Sequence, residues 1–420
     1  MLVLLTGVGI QPGETATGDT VIYHASVDST INPVTELYVK RVIEQAEREG
    51  VHAILLQLNT PGGLMKSMNR ITSEILNSQV PVIVWVGPAG SRAASAGAFI
   101  TYASHVAAMS EGTRIGAAHP VKGQGKSLSN VMEKKVVNDA VAQIESMAKK
   151  RDRNETVARN FVTESLSLRA EVATNRNAVE ILTTDREDLL QQLDGYVVNP
   201  GDDREIKLDT LGTNVDVREV FFNSKERFLN ILVNPNLVYI FMMLGIYGLI
   251  YEFANPGVGL GLVVGGICLL LGLFGMSMLP ISYTGLALLL LGIVLMVLDV
   301  FVPTMGVLTM GGVTSFVLGS IMLFRTDVFA VSYGLIAGAS AVTVVFILVV
   351  SYLWIRSFQL PVKIGEDAII GKTGTVKESL DPEGMVHVRG EYWSARSEDD
   401  TRIEGGEKVE VVDRARRKLT

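Results

Sequence analysis

Between Arg227 and Arg325 the chain carries only two charged side chains, Glu252 and Asp299, and a second uncharged run extends from Val328 to Ile355. A soluble helix or strand needs a polar face toward water, so unbroken apolar sequence of this extent requires a lipid environment. Five stretches, 236–253, 258–278, 283–302, 306–324 and 332–354, each approach the ~20 apolar residues that a helix needs to cross the hydrocarbon core. They also contain a repeat at a spacing of 47 residues: Leu244, Gly245 and Ile246 recur as Leu291, Gly292 and Ile293. Glu252, Pro256, Gly259, Gly265 and Gly272 correspond to Asp299, Pro303, Gly306, Gly312 and Gly319. The pattern predicts a duplicated helical hairpin with an acid ahead of each Pro/Gly turn. An acid at a helix end sits at the interface and avoids the cost of the bilayer midplane. Paired carboxylates would also suit a transporter, but the broken helices with polar residues near mid-span that such a protein uses are missing.

The apolar block leaves polar sequence on both sides. Residues 1–19 begin with the apolar run Met1–Ile10 and continue through Ala16 and Gly18, as the tail of a secretory leader would, without the basic start of a complete one. Residues 20–225 alternate β-rich runs with amphipathic helices, the signature of an α/β domain. Val21–Ser26, Ala53–Leu58 and Val80–Val86 read as strands; Asn32 caps a helix that has Pro33 first and stops at Gly50, and Leu64, Met68, Ile71 and Ile75 mark a second. Beyond Arg356, residues 360–415 offer three Val/Thr/Tyr-rich runs, Gly371–Leu380, Met385–Ser397 and Lys408–Val412, with Asp381-Pro382-Glu383-Gly384 as a turn. A small all-β barrel is expected there, because closure removes exposed edges.

A net charge of −7 argues against a nucleic-acid partner. The single cysteine, Cys268, lies in an apolar run, and His24, His52, His105 and His387 are scattered without ligand spacing, so no metal and no cofactor are expected. Acyl-transfer chemistry is better provided for. It needs a nucleophile on a sharp turn, a base, and backbone amides aimed at the developing oxyanion. Ala94-Ser95-Ala96-Gly97 follows the buried strand 80–86 and puts Ser95 at a helix N-terminus. Asn59-Thr60-Pro61-Gly62-Gly63 follows the strand 53–58 just before the next helix, where glycines free backbone amides to face a ligand.

The order strand, Thr-Pro-Gly-Gly, helix, apolar strand, Ser-Ala-Gly, helix resembles the ClpP/crotonase superfamily. It is most similar to the peptidase domain of the long NfeD family of membrane proteins, and the resemblance covers the whole chain: ClpP-like domain, membrane helices, OB-fold-like barrel. It implies Ser95 as nucleophile and the Gly63 and Ala96 amides as oxyanion hole. It also implies a lysine base on the helix after the nucleophile's loop, a position best matched by Lys135. Such a lysine must be neutral, so burial or a neighbouring cation such as Lys134 has to lower its pKa from about 10.4. A regular helix over 133–150 would bury Val137, Val141, Ile144 and Ala148 and turn Lys135 away while Lys134 flanks that face, so Lys134 stays an alternative. His119 is a second alternative, 24 residues after Ser95, although Ser165–Glu171 offers no aspartate to orient its ring. The Gly/Ser/Lys run Val121–Asn130 reads either as a lid or as a surface loop.

The resemblance further implies a membrane-anchored serine endopeptidase that works as a homo-oligomer and cleaves apolar segments of stomatin- or prohibitin-like proteins. A scaffold with a weak catalytic domain is the alternative from another functional class. Five crossings separate the two soluble parts, with the peptidase domain outside the cell if residues 1–19 end a secretory leader and the barrel in the cytoplasm.

Overall fold

The computed structural model describes residues 20–120, 130–201, 204–212, 214–254, 257, 259–302, 304, 306–324, 329–359, 369–415 and 418–420. The expected leader, most of the expected lid, Pro256 and Pro303 lie outside them. Thr20–Asp28 forms β1, and Asn32 then caps α1 (Pro33–Glu49). The cap is reciprocal: Asn32 Oδ1 accepts from the Val34 and Thr35 amides, and Thr35 Oγ1 accepts from the Asn32 amide. β2 (Ala53–Asn59), α2 (Met65–Asn77) and β3 (Val82–Val86) repeat the strand–helix–strand step. Next come β4 (Arg92–Ala94), α3 (Ala96–Ala103), β5 (Val106–Ser110), β6 (Arg114–Gly116), α4 (Asn130–Lys150) and α5 (Glu155–Thr163). The domain continues with β7 (Ser167–Arg169), α6 (Ala170–Asn175), β8 (Ile181–Thr183), α7 (Arg186–Leu193), β9 (Val197–Val198), β10 (Ile206–Lys207) and β11 (Val215–Val220).

Six strands form one parallel sheet in the order β11-β1-β2-β3-β5-β8. A parallel sheet must be covered on both faces, and every residue of β3 and β5 is buried. One face packs on Tyr38, Ile71, Phe99 and Phe161, the other on Leu189, Leu193 and Leu208. A second sheet, β4-β6-β7, starts just past the carboxyl ends of β2 and β3. This is the ClpP-like α/β architecture that the motif order implied. The edge strand β11, Val-Asp-Val-Arg-Glu-Val, escapes a search for buried strands because it is half polar and none of its residues is fully buried.

The α/β domain passes into the apolar helices through α8 (Ser224–Leu232). Glu226, 4% exposed, receives both Arg41 Nε and Nη2 at 2.7 and 2.8 Å, while its backbone amide is capped by Asn223. This hydrogen-bonded pairing holds the Arg41 guanidinium more firmly protonated and ties α8 to α1. Five helices follow: α9 (Pro235–Ala254), α10 (Leu260–Met278), α11 (Tyr283–Phe301), α12 (Val307–Ile321) and α13 (Tyr333–Gln359). Each expected apolar stretch is helical, and α9 and α10 are long and apolar enough to cross a membrane.

The repeat is also a repeat of contacts. A side chain on Gly245 would strike Leu269 and one on Gly292 would strike Phe316; Gly272 lies against Met242 and Gly319 against Leu289. Contacting residues in the second hairpin are therefore the repeat equivalents of those in the first, and small residues let the backbones meet where no hydrophobic effect drives helices together. The acids finish each hairpin. Glu252 accepts from the Gly259 and Gly261 amides at 2.9 and 3.1 Å, and Asp299 accepts from the hydroxyls of Thr304 and Thr309. Both carboxylates serve the start of the following helix, an electrostatically favoured place for an anion.

Residues 348–420 form a separate unit. Its strands β12 (Thr373–Glu378), β13 (Glu383–Val388), β14 (Glu391–Arg396), β15 (Lys408–Glu410), β16 (Arg414–Ala415) and β17 (Lys418–Leu419) make one sheet in the order β15-β12-β13-β14-β17-β16. Pairing is antiparallel except for β14 with β17. The expected closed barrel is thus corrected to an open sheet, because β15 and β16, three and two residues long, are too short to complete the ring. The single run expected over Met385–Ser397 is a hairpin turning at Arg389 and Gly390, both at positive φ; an arginine there gives no turn signal.

Removing the Glu226 carboxylate takes two charge-assisted bonds from the half-buried Arg41 guanidinium, which keeps the Phe221 carbonyl, and also the bond that Glu226 accepts from the Asn223 amide at the start of α8. Glu226→Ala should cost about 1.5–3 kcal/mol in denaturant unfolding of the full chain. A loss below about 1 kcal/mol, the level of an exposed pair, would contradict this reading of the junction.

Candidate active site

β4 leads into α3 through one residue, Ser95, whose backbone stands at φ 53° and ψ −112°. A non-glycine residue held there costs about 1–3 kcal/mol and persists only when its surroundings enforce it. They do so from both sides: the Ser95 amide donates to the Gly116 carbonyl of β6 at 2.9 Å, and Ala94 donates to the Thr60 carbonyl at 3.1 Å. Ser95 occupies the N-cap position of α3, yet its side chain does not cap the helix, and its partly exposed hydroxyl has no hydrogen-bond partner among the described residues.

Thr60–Leu64 runs beside it. Thr60 is stitched to β4 on one side, donating to the Arg92 carbonyl at 2.7 Å. Farther along, the Ile31 amide donates to Gly62 O and the Leu64 amide to Ile31 O, each at 2.8 Å. These two bonds flank Gly63, and because successive residues of an extended strand present their polar groups to opposite edges, the Gly63 amide faces away from Ile31. A side chain on Gly63 would collide with the Ile31 backbone. Gly62, at φ +112°, has no room for one either: a Cβ would come within 2.6 Å of Ser95 Cβ. Neither the Gly63 nor the Ala96 amide donates to another group among the described residues. Ser95 on its strained turn thus lies against the Gly62–Gly63 segment, and the Gly63 and Ala96 amides have no partner among the described residues; acyl transfer calls for groups of these kinds.

At its far end α3 is held by Arg153, whose fully buried side chain donates to the Thr101 and Tyr102 carbonyls at 2.9 Å and grips Glu180 with two bonds of 2.7 and 2.8 Å. A cation on the last carbonyls of a helix is favourable, and the pairing satisfies its charge. Close by, burial pushes the His105 imidazole down to about 3. That ring accepts from the Val82 amide and supports the sheet as a neutral group.

The candidate bases are less tightly placed. Lys134 and Lys135 lie in the first turns of α4, both exposed, and neither makes a hydrogen bond or ion pair among the described residues. The buried face of α4 is Ala140, Ile144, Met147 and Ala148, with Val137 and Val141 at its margin, which accounts for both lysines facing outward. His119 does have an orienter, contrary to the expectation from the missing aspartate. Its Nδ1 lies 2.7 Å from the Val162 carbonyl and must carry the hydrogen there, leaving Nε2 as an acceptor. A main-chain carbonyl leaves no trace in residue type, which is why sequence reading missed it, as it missed the clamp from Ile31.

Three family models match in succession. They are the N-terminal domain of NfeD1b over residues 21–202, the NfeD integral membrane domain over 236–353, and the NfeD-like C-terminal, partner-binding domain over 366–420. The membrane-bound protease PH1510 of Pyrococcus horikoshii is 35% identical over 403 residues, 94% of this chain and 91% of that protein. The chain belongs to the NfeD family. A second NfeD relative, membrane protein NfeD1b of Bacillus subtilis, is 28% identical across 97% of this chain and 94% of its own length. Among solved structures, the 1510-N membrane protease specific for a stomatin homolog from Pyrococcus horikoshii matches with 32% identity and a TM-score of 0.44, covering 51% of this chain and 98% of that one. As an NfeD protein the chain has an integral membrane domain and a C-terminal partner-binding domain.

The crowding of Gly62 against Ser95 can be measured. Gly62→Ala should lower stability by about 1–3 kcal/mol through overpacking, whereas Gly201→Ala, at an open position, should stay within about 0.5 kcal/mol. Thermal unfolding of the two variants checks this, and equal melting would contradict it.

Proposed function

We propose that this NfeD protein is a membrane-anchored serine endopeptidase with a Ser/Lys dyad. The observation that carries the reading is Ser95 itself, a strained residue with an uncommitted hydroxyl beside the unpaired amides of Gly63 and Ala96. Ser95 Oγ attacks the scissile carbonyl, its proton passes to the amine of Lys135, and the two amides stabilise the tetrahedral oxyanion. Collapse expels the leaving amine, which takes the proton from Lys135, and water then cleaves the acyl-enzyme by the same route. Lys135 is exposed in the free chain, and its approach to Ser95 is completed when substrate or a second copy in a homo-oligomer covers it; catalytic contacts commonly tighten only in the complex.

The substrates in this reading are apolar segments of stomatin- or prohibitin-like membrane proteins, recruited by the C-terminal partner-binding domain. All five apolar helices cross the bilayer, with the catalytic domain outside the cell and the C-terminal domain in the cytoplasm. The exposure of both lysines supports one rival, a scaffold of weak activity that binds the same partners without cleaving them.

Kinetics on a peptide with an apolar run separate these readings and identify the base. Ser95→Ala and Lys135→Ala in the full chain should lower kcat/KM about a thousandfold, within the range of a lost general base, with Lys134→Ala and His119→Gln within about tenfold of the parent. Full activity in Ser95→Ala would exclude the mechanism, and a loss confined to His119→Gln would move the base to the imidazole.

A further inference from the structure

α8 has apolar residues on two faces, and only one is used inside the molecule. Leu232 is buried, Val233 just beyond it is buried in the same cluster as Val238, Tyr239 and Met276 of the membrane domain, with Leu229 packed against them, and Glu226 points inward to Arg41. The opposite arc carries Phe228 and Ile231, 52% and 50% exposed and three residues apart on the helix, with Phe221, 67% exposed, just ahead of it. Lys225 and Arg227 flank that arc and are also exposed, whereas the only acid on the helix, Glu226, is the one turned inward. A short helix whose outward face is large apolar groups between cations has the composition of one that lies in a membrane interface.

Its place in the chain identifies the occupant. Only Val233 and Asn234 separate α8 from Pro235, where α9 begins, and the α8 end lies so close to α10 that a side chain on Gly275 would strike the Leu232 carbonyl. The exposed face is therefore continuous with the end of the first membrane hairpin. We propose that α8, together with Phe221, is an interfacial anchor: Phe228 and Ile231 enter the boundary between headgroups and acyl chains while Lys225 and Arg227 pair with anionic headgroups. Val34, which sits on α1 just past Asn32, is buried in the same junction cluster, and Leu64, which follows Gly63, packs against it. The anchor thereby fixes the height of the Ser95 cleft close above the lipid, where a segment emerging from the bilayer reaches it. The anchoring rests on the membrane domain alone and stands whether or not Ser95 is a nucleophile.

The chain's single cysteine makes the test direct. Full-length protein carrying Cys268→Ser and one of Phe228→Cys, Ile231→Cys or, as an aqueous control, Glu187→Cys is spin-labelled and placed in nanodiscs containing phosphatidylglycerol. Accessibility to oxygen is then compared with accessibility to a water-soluble nickel chelate. The oxygen-to-nickel ratio at 228 and at 231 should exceed that at 187 several-fold, and should fall when phosphatidylcholine replaces the anionic lipid. Ratios equal to the control, shielding from both reagents by a second copy, or indifference to headgroup charge would each overturn the proposal.

Discussion

The two hydrogen bonds between Ile31 and the Gly62–Leu64 segment are the constraint on which the rest of the site depends. They fix the direction of the Gly63 amide, and they do so from a residue that stands next to the Asn32 cap of α1. α1 is in turn locked to α8 through Arg41 and Glu226, and α8 opens the membrane domain. The backbone donor that we propose meets the developing charge therefore hangs from a rigid frame that continues into the membrane domain. Preorganisation of this kind is what makes a backbone amide effective in catalysis, since little reorganisation is left for the moment of reaction. The frame also explains why the segment must be glycine-rich: with Ile31 on one side and Ser95 on the other, neither Gly62 nor Gly63 has space for a Cβ.

Legibility in the sequence followed the range of the interaction. Asn32 with Pro33, the fully buried β3 and the turn carrying Ser95 are local devices whose side chains announce them, and each is found where the sequence puts it. Backbone partners announce nothing. The Val162 carbonyl that orients His119 comes from a helix 43 residues away, and no residue type encodes it. The edge strand β11 was hidden because its exposed side is polar, and the hairpin at Arg389 because its first turn residue is an arginine forced to φ 50°. The barrel was expected to close on general grounds about edges, whereas the lengths of β15 and β16 left it open.

In the membrane domain the sequence was more informative, because lipid enforces one solution: helices that satisfy their own backbone. The repeat added a second layer, with glycine positions recurring as contact positions and each acid serving the turn that follows it. The sequence favoured a structural place for Glu252 and Asp299 at helix ends, and their hydrogen bonds to the next helix's start agree with that reading.

The central claim is that Ser95 is a nucleophile, and the most direct measurement is to treat the full-length protein with a fluorophosphonate and locate the adduct by peptide mass spectrometry. The account predicts a single adduct on the peptide containing Ser95, absent from Ser95→Ala. No adduct, or one on another residue that persists in Ser95→Ala, would contradict it.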